Sequence, residues 1–409
     1  MAAKAEINRP TGRLEADMPE SGAWLTEARQ AAHGRASALG LPVRRDEYWK
    51  YTNPEALVSS SAEGKGSAAL GVFDGIQAEQ VKVAGGSLAG NGFETLAQAG
   101  ASDIHWAKDL YGVLEAAGQA PVARPLLALN TAYASDGLVL KLDEGETRQI
   151  ALTHEPGEAA AYHHVVRVAS GATLTVLEDG HTGSRDDIVW EVDLADGASF
   201  HHIRVQDAGD TVVNTGIFAR LGAGASFKSF TASHGGALTR NEVVLDLQGD
   251  EAAAHVAGVF LGEGKTHSDD TVFVTHDAVD CESRQVFKKV LRNGAVGVFQ
   301  GKILVQPDAQ KTDGYQISQS LLLDDDSQFL AKPELEIYAD DVACSHGSTS
   351  GAIDEDALFY LRARGVEKTT AQNLLVLAFL AEALEEIADE SLAEAVEAQL
   401  ARWQAAGLT

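Results

Sequence analysis

The sequence predicts a mainly β protein, a β-helix or β-solenoid held between helical regions at both ends. Three observations predict it. Period-two apolar alternation recurs in "HHVVRV", "TLTVLE", "DIVWEVDL", "SFHHIRV", "EVVLDL" and "TVFVTH", the pattern of half-buried strands. No proline lies between Pro156 and Pro307, which suits continuous sheet because proline cannot donate to a ladder. A glycine returns at Gly145, Gly171, Gly197, Gly224 and Gly249, spaced by 26, 26, 27 and 25 residues. In three of these copies Ala and then Ser or Thr follow the glycine into an apolar strand, and glycine suits a corner that needs positive φ. A repeat of this length with no helix pattern inside it means one strand-built unit stacked on copies of itself. A sandwich of evenly spaced hairpins is the alternative, and the regular period favours the solenoid.

These patterns divide the chain into a largely helical region at 1–130, a β-helix core at 131–352 and a helical region at 353–409. In the first region, residues 20–39 place Trp24, Leu25, Ala28, Ala31 and Ala32 on one stripe, and Gly40 and Pro42 stop that helix. The aromatic cluster Tyr48, Trp49 and Tyr51 is expected to dock this region onto the sheet. In the last region, Asp354 stands as N-cap, Arg362 and Arg364 end the first helix, and Gly365 stops it. The next helix is expected to bury Leu374, Leu377, Ala378, Ala381, Leu384 and Ala388. The third is expected to bury Leu392, Val396, Leu400 and Trp403. Such helices either cap the solenoid or offer a docking face.

Composition narrows function. Against 32 basic residues stand 60 acidic ones, a formal charge of −28 over 409 residues. That surface repels nucleic acid and anionic membranes. The N-terminus reads neither as a secretory signal nor as a membrane anchor, and no stretch reaches the length of a membrane span. Two cysteines, Cys281 and Cys344, suit a reducing cytoplasm and give no disulfide framework.

Candidate chemistry is sparse. "GVFLGEGKTHS" puts five residues where a P-loop has four between its glycines, and a strand follows where a helix should start, so it reads as a turn. The pairs His163–His164 and His201–His202 are adjacent, so each pair points to opposite faces of its strand, unlike the His-x-His of a cupin-like metal site. A β-helical carbohydrate-active enzyme would need an acid pair, and the acids here are scattered. Cys344 and His346, in "DVACSHGSTSG", share a face on an extended chain and could converge on one ion. Two ligands alone do not hold zinc or iron, so this pair is either an incomplete metal site or a small buried cysteine beside a turn histidine. Asp340 and Asp341 beside it add oxygen ligands or only mark a turn.

Longer motifs carry a resemblance. "RRDEYWKYTNP" at 44–54, together with "FQGKILV", "AQKTD", "PELEIYADDV" and "LFYLRARG" between 299 and 365, resembles the SufB/SufD family, scaffolds of the SUF iron–sulfur cluster assembly machinery. The "CSHG" form at 344–347, without further cysteines, is closer to the SufD branch than to SufB. The resemblance implies a right-handed parallel β-helix and a non-catalytic scaffold role. It also implies pairing with a SufB-like subunit through the β-helix and docking of a SufC-like ATPase on the C-terminal helices. Asp354, Leu358, Phe359, Tyr360, Arg362 and Gly365 fall in that docking region. His346 matches the family histidine at the subunit interface, where a transient iron–sulfur cluster forms, and Cys344 matches the cysteine two before it. No tightly bound cofactor is implied. Reduced flavin is associated with the family, without a residue here to map it to. Cys281 reads as structural, and a homodimer stays open.

Overall fold

A computed structural model describes residues 8–61, 69–157, 159–181 and 183–406. The first seven residues of the N-terminal stretch read above lie outside them.

Helices α1 (Ala23–Leu39) and α2 (Glu55–Val58) open the fold. Strands β1 (Glu79–Ala84), β2 (Ser87–Gly90) and β3 (Glu94–Thr95) follow, so the first region contributes sheet as well as helix. Then come α3 (Leu96–Gly100), α4 (Val113–Ala117) and α5 (Pro125–Tyr133), the last with proline in its first turn, where no donor is needed.

The core begins with β4 (Leu138–Leu142), β5 (Thr147–His154), β6 (Ala160–Val168) and β7 (Thr173–Gly180). It continues through β8 (Arg185–Leu194), β9 (Ser199–Asp207), β10 (Val212–Leu221) and β11 (Ser226–His234). Next are β12 (Leu238–Leu247), β13 (Ala253–Glu263), β14 (His267–His276) and β15 (Glu282–Arg292). It ends with β16 (Val296–Val305), β17 (Thr312–Leu322), β18 (Gln328–Ile337) and β19 (Val342–Gly351). From β4 onward consecutive strands alternate between two sheets, and from β6 each pairs in parallel with the strand two before it. This is the predicted β-solenoid, with about eight turns.

The corner predicted from glycine is real for four coils. Gly145, Gly171, Gly197 and Gly224 have φ of 70°, 64°, 67° and 62°. Each donates its N–H to the carbonyl of the next coil: Ser170, Asp196, Ala223 and Asp250 in turn. The fifth is different. Gly249 is not the corner. Glu251 is, at φ 61°, followed by Asp280 at 58° and Lys311 at 60°, and the same N–H ladder continues through them. Gly249 is glycine because a Cβ there would lie 2.0 Å from the backbone nitrogen of Ala223.

Between the sheets lies the main core, in which Phe200 stacks on Phe227 at 5.5 Å and Trp190 on His164 at 4.1 Å. Each such buried apolar side chain contributes roughly 1.5–3 kcal/mol. The outer face of the even-numbered sheet is covered by the N-terminal region. Tyr48 packs edge-on against Phe273 at 5.1 Å and the Arg240 guanidinium lies over Trp49 at 4.1 Å. Arg240 also pairs with Asp269, whose carboxylate accepts from Thr52 Oγ1 at 2.6 Å. The aromatic cluster therefore docks the helical region, as its composition predicts. On α1 the buried stripe is Trp24, Leu25, Arg29, Ala32 and Ala36, whereas Ala31 is exposed because it sits one residue off that stripe.

The outer face of the odd-numbered sheet is covered by α7 (Lys368–Leu384) and α8 (Glu390–Ala406), which follow α6 (Glu355–Ala363). Helix α7 buries Val376, Leu380, Ala383 and Leu384 against residues such as Val259, Val286 and Val290. The face expected from the sequence is right in part: Leu384 is buried and Leu377 packs partly buried against the same cluster, but Leu374, Ala378 and Ala388 are exposed. Helix α8 buries Leu392, Val396, Leu400 and Trp403 as predicted. The helices lie along the flank of the solenoid and do not cap its end.

The two glycine roles predict different losses. Gly171→Ala meets no atom and should cost only the left-handed backbone penalty, roughly 1–2 kcal/mol. Gly249→Ala must displace backbone and should cost more. Denaturant unfolding of both variants measures the difference.

Candidate functional site

The solenoid starts on short antiparallel strands and finishes, at its open end, on two ten-residue parallel strands with free edges. At the start, the antiparallel strands β2 and β3 finish the two sheets. At the far end, β18 and β19 are terminal strands with one neighbour each. A terminal strand leaves backbone donors and acceptors unpaired along one edge. Strand β18 carries the usual protections against pairing: Pro333 in the strand, and Lys332, Glu334 and Glu336 along it. Strand β19, "VACSHGSTSG", carries no proline and no carboxylate, lysine or arginine.

Register fixes which way β19 presents its side chains. Gly314, Gln316, Ser318 and Ser320 of β17 pair with Cys344, His346, Ser348 and Ser350. The hydroxyls of Ser318 and Ser348 meet at 3.1 Å, and those of Ser320 and Ser350 at 2.8 Å. The cysteine and histidine thus share one face of the last strand, as the sequence predicts, turned toward the space between the sheets. Cys344 packs against the cluster of Ile303 and Val305, and Gly314 makes room for it: a Cβ at 314 would lie 3.1 Å from Sγ. His346 is exposed. Facing them from the even sheet is an apolar row whose end, Ile337, is exposed, with Tyr338 beyond it. Asp341 belongs to a turn, its N–H bonded to Gln310 and its carbonyl to Lys311.

Burial raises the Cys344 thiol above its ordinary value, with the Asp313 charge acting in the same direction and a backbone hydrogen bond at Gly314 opposing. The free side chain is therefore a thiol at neutral pH, and an ion binding there must displace its proton. Among the described residues no group of three or more His, Cys, Asp or Glu side chains is placed to hold a metal ion. Cys344 and His346 are at most half of a tetrahedral ligand set.

Of the other candidate histidines, His163, His164 and His202 are held by protein groups. His163 and His164 do point to opposite faces: His163 Nε2 meets Glu191 at 2.9 Å outside, and His164 lies inside against Trp190, its pKa pushed down to about 3 by burial. His202 Nε2 meets Glu178 at 2.6 Å. Gly264–Thr266 is a turn between β13 and β14. Cys281 is buried, its Sγ donating to the Gly249 carbonyl at 3.3 Å.

The C-terminal residues singled out in the sequence divide into two groups. Asp354 Oδ1 accepts from the N–H groups of Asp356 and Ala357 at 2.9 and 3.0 Å, Leu358 is buried, and Gly365 has φ 85°. These three build α6. Phe359 and Tyr360 are 73% and 55% exposed, Arg362 is exposed, and Leu374 of α7 is 48% exposed. What sequence reasoning missed at the open end is Gln316, buried in register under His346; the 30-residue offset between "GYQISQS" and "CSHGSTS" carries that signal.

A family model described as the SufBD core domain of SUF-system FeS cluster assembly matches residues 151–379, from β5 into α7. The chain belongs to the SufB/SufD family. It is similar to the iron–sulfur cluster assembly protein SufD of Escherichia coli, 29% identical over 393 residues that cover 88% of this chain and 89% of that protein. The SufD of Bacillus subtilis is 27% identical over 281 residues, 65% of this chain and 64% of that protein. A SufBD family protein of Mycobacterium leprae is 27% identical over 398 residues, 92% and 95% of the two chains. Within the family the chain is SufD-like.

The raised thiol gives a direct check. Alkylation of Cys344 by iodoacetamide at pH 7 should be slower than that of a free peptide cysteine, and should climb with pH past 9. Cys281 should stay unmodified until the protein unfolds. Mass spectrometry of the two tryptic peptides reads both.

Proposed function

We propose that this chain is a non-catalytic scaffold subunit for building iron–sulfur clusters, working at the open end of its solenoid. One observation carries the reading: Cys344 and His346 share a face on an unprotected terminal strand, and nothing else among the described residues completes their ligand set. A SufB-like subunit pairing at β18 and β19 would supply the remaining ligands. The cluster is cargo, assembled between the subunits and passed on. His346 is exposed and ready to ligate or to move a proton, while Cys344 sits deeper and supports it.

The exposed side chains of α6 and α7 suit a second partner. Phe359 and Tyr360 of α6 and Leu374 of α7 are exposed apolar side chains, and on α6 the Arg364 guanidinium lies 3.4 Å from the Tyr360 ring centroid, with Arg362 exposed beside them. A SufC-like ATPase docked there could transmit its motion through α7 to the odd-numbered sheet, against which α7 lies. Family membership, the acidic charge and the lack of any described helix long and apolar enough to cross a membrane support a cytoplasmic complex. Reduced flavin would belong to the assembled complex.

His346→Ala should leave folding and complex formation unchanged and lower cluster yield in anaerobic reconstitution with both partners at least several-fold. A normal yield removes His346 from the mechanism. Phe359→Ala with Tyr360→Ala should weaken ATPase association while circular dichroism stays unchanged. Association at full strength with the fold intact would move the docking site elsewhere.

A further inference from the structure

The interior of the solenoid is more polar than a folded core requires. On the inner wall stand His202 and Arg204 of β9, Ser229 of β11, Gln285 and Lys289 of β15 and Gln316 of β17. Opposite them, Thr215 Oγ1 donates to Asn241 at 2.9 Å, Asn241 Nδ2 donates to Asp270 at 2.8 Å, and Lys289 Nζ donates to the same carboxylate at 2.5 Å. This bonded run crosses the level at which Val256 interrupts the polar side chains of the odd sheet.

Several of these groups have no hydrogen-bond partner among the described residues. Arg204 is 3% exposed and its Nη2 is unpartnered. Gln285 and Gln316 are both 0% exposed, and in each the amide oxygen and nitrogen are unpartnered. An orphaned buried polar group is costly, so five such atoms in a dry interior would take up much of a domain's stability. Arg204 lines a cavity of about 20 Å³, together with His202, Thr215, Ser229, Asn241 and Asp270. That is room for a water molecule with several polar partners. Gln285 stands in register with Gln316, and Gln316 with the exposed His346. Adjacent strands are about 4.8 Å apart, so one strand step separates Gln285 from Gln316 and Gln316 from His346, while Arg204 lies three strands from Gln285.

We propose that the solenoid lumen from Arg204 to Gln316 binds a file of water molecules that opens at His346. The file satisfies the glutamine amides and the guanidinium. It also gives the buried His202, paired with Glu178, a route of proton exchange with solvent that does not require the fold to open. The ligand is water, and what moves along it is a proton.

The test is hydrogen exchange of the His202 side-chain N–H by NMR on histidine-labelled protein, unsubstituted and with Gln285→Leu and Gln316→Leu together. The unsubstituted protein should exchange faster than global unfolding allows, and the plugged variant at least about tenfold more slowly. Exchange that only tracks global unfolding in the unsubstituted protein, or no slowing in the variant, overturns the proposal. Where the double variant does not fold, a crystal structure of the unsubstituted protein decides. Ordered waters on both amides and on Arg204 Nη2 support the file. Amides bonded to each other across a dry lumen sink it.

Discussion

In a parallel β-helix each coil satisfies its backbone hydrogen bonds through the coils on either side, so the stack ends on an edge unless something closes it. Here the first coil ends on the short antiparallel strands β2 and β3, of four and two residues. Both outer faces are covered, one by the N-terminal helices and one by α7 and α8. The last coil ends on two ten-residue parallel strands, β18 and β19, with free edges. That asymmetry positions the candidate site. Strand β19 can hold its side chains in fixed register over β17, and still offer its free edge to another chain.

The same edge explains the chemistry. A site built to bind an ion permanently would converge several ligands within one subunit. This one presents a protonated thiol and an imidazole on a strand whose other side is unfilled. On the proposed scaffold reading, incomplete coordination suits a surface where cargo is built and released. The exposed apolar side chains of α6 and α7 lie outside the stack, and α7 is seated on the odd-numbered sheet, so movement imposed on α7 would reach the strands that lead to β19.

Much of this is legible in the sequence because corners and caps are local. The four glycine corners, the Asp354 cap and the shared face of Cys344 and His346 each follow from a few neighbouring residues. The repeat is lost at Gly249 because the later corners are taken by Glu251, Asp280 and Lys311, and those coils lengthen to 29 and 31 residues. A residue in the left-handed region without glycine leaves no compositional mark. The buried face of α7 was legible only in part, for another reason. "NLLVLAFLAEAL" is apolar on every side, so its period does not choose between the face on the sheet and the face left exposed. Only tertiary packing against β13 and β15 decides it.

The central claim is that β18 and β19 are an interface awaiting a partner. Backbone hydrogen–deuterium exchange, followed on this chain alone and after adding a SufB-like subunit, tests it most directly. The account predicts that amides of residues 328–351 exchange readily in the lone chain and become protected on mixing, ahead of any change in α6 to α8. Protection that appears on the flanking helices while those strands stay unchanged would contradict it.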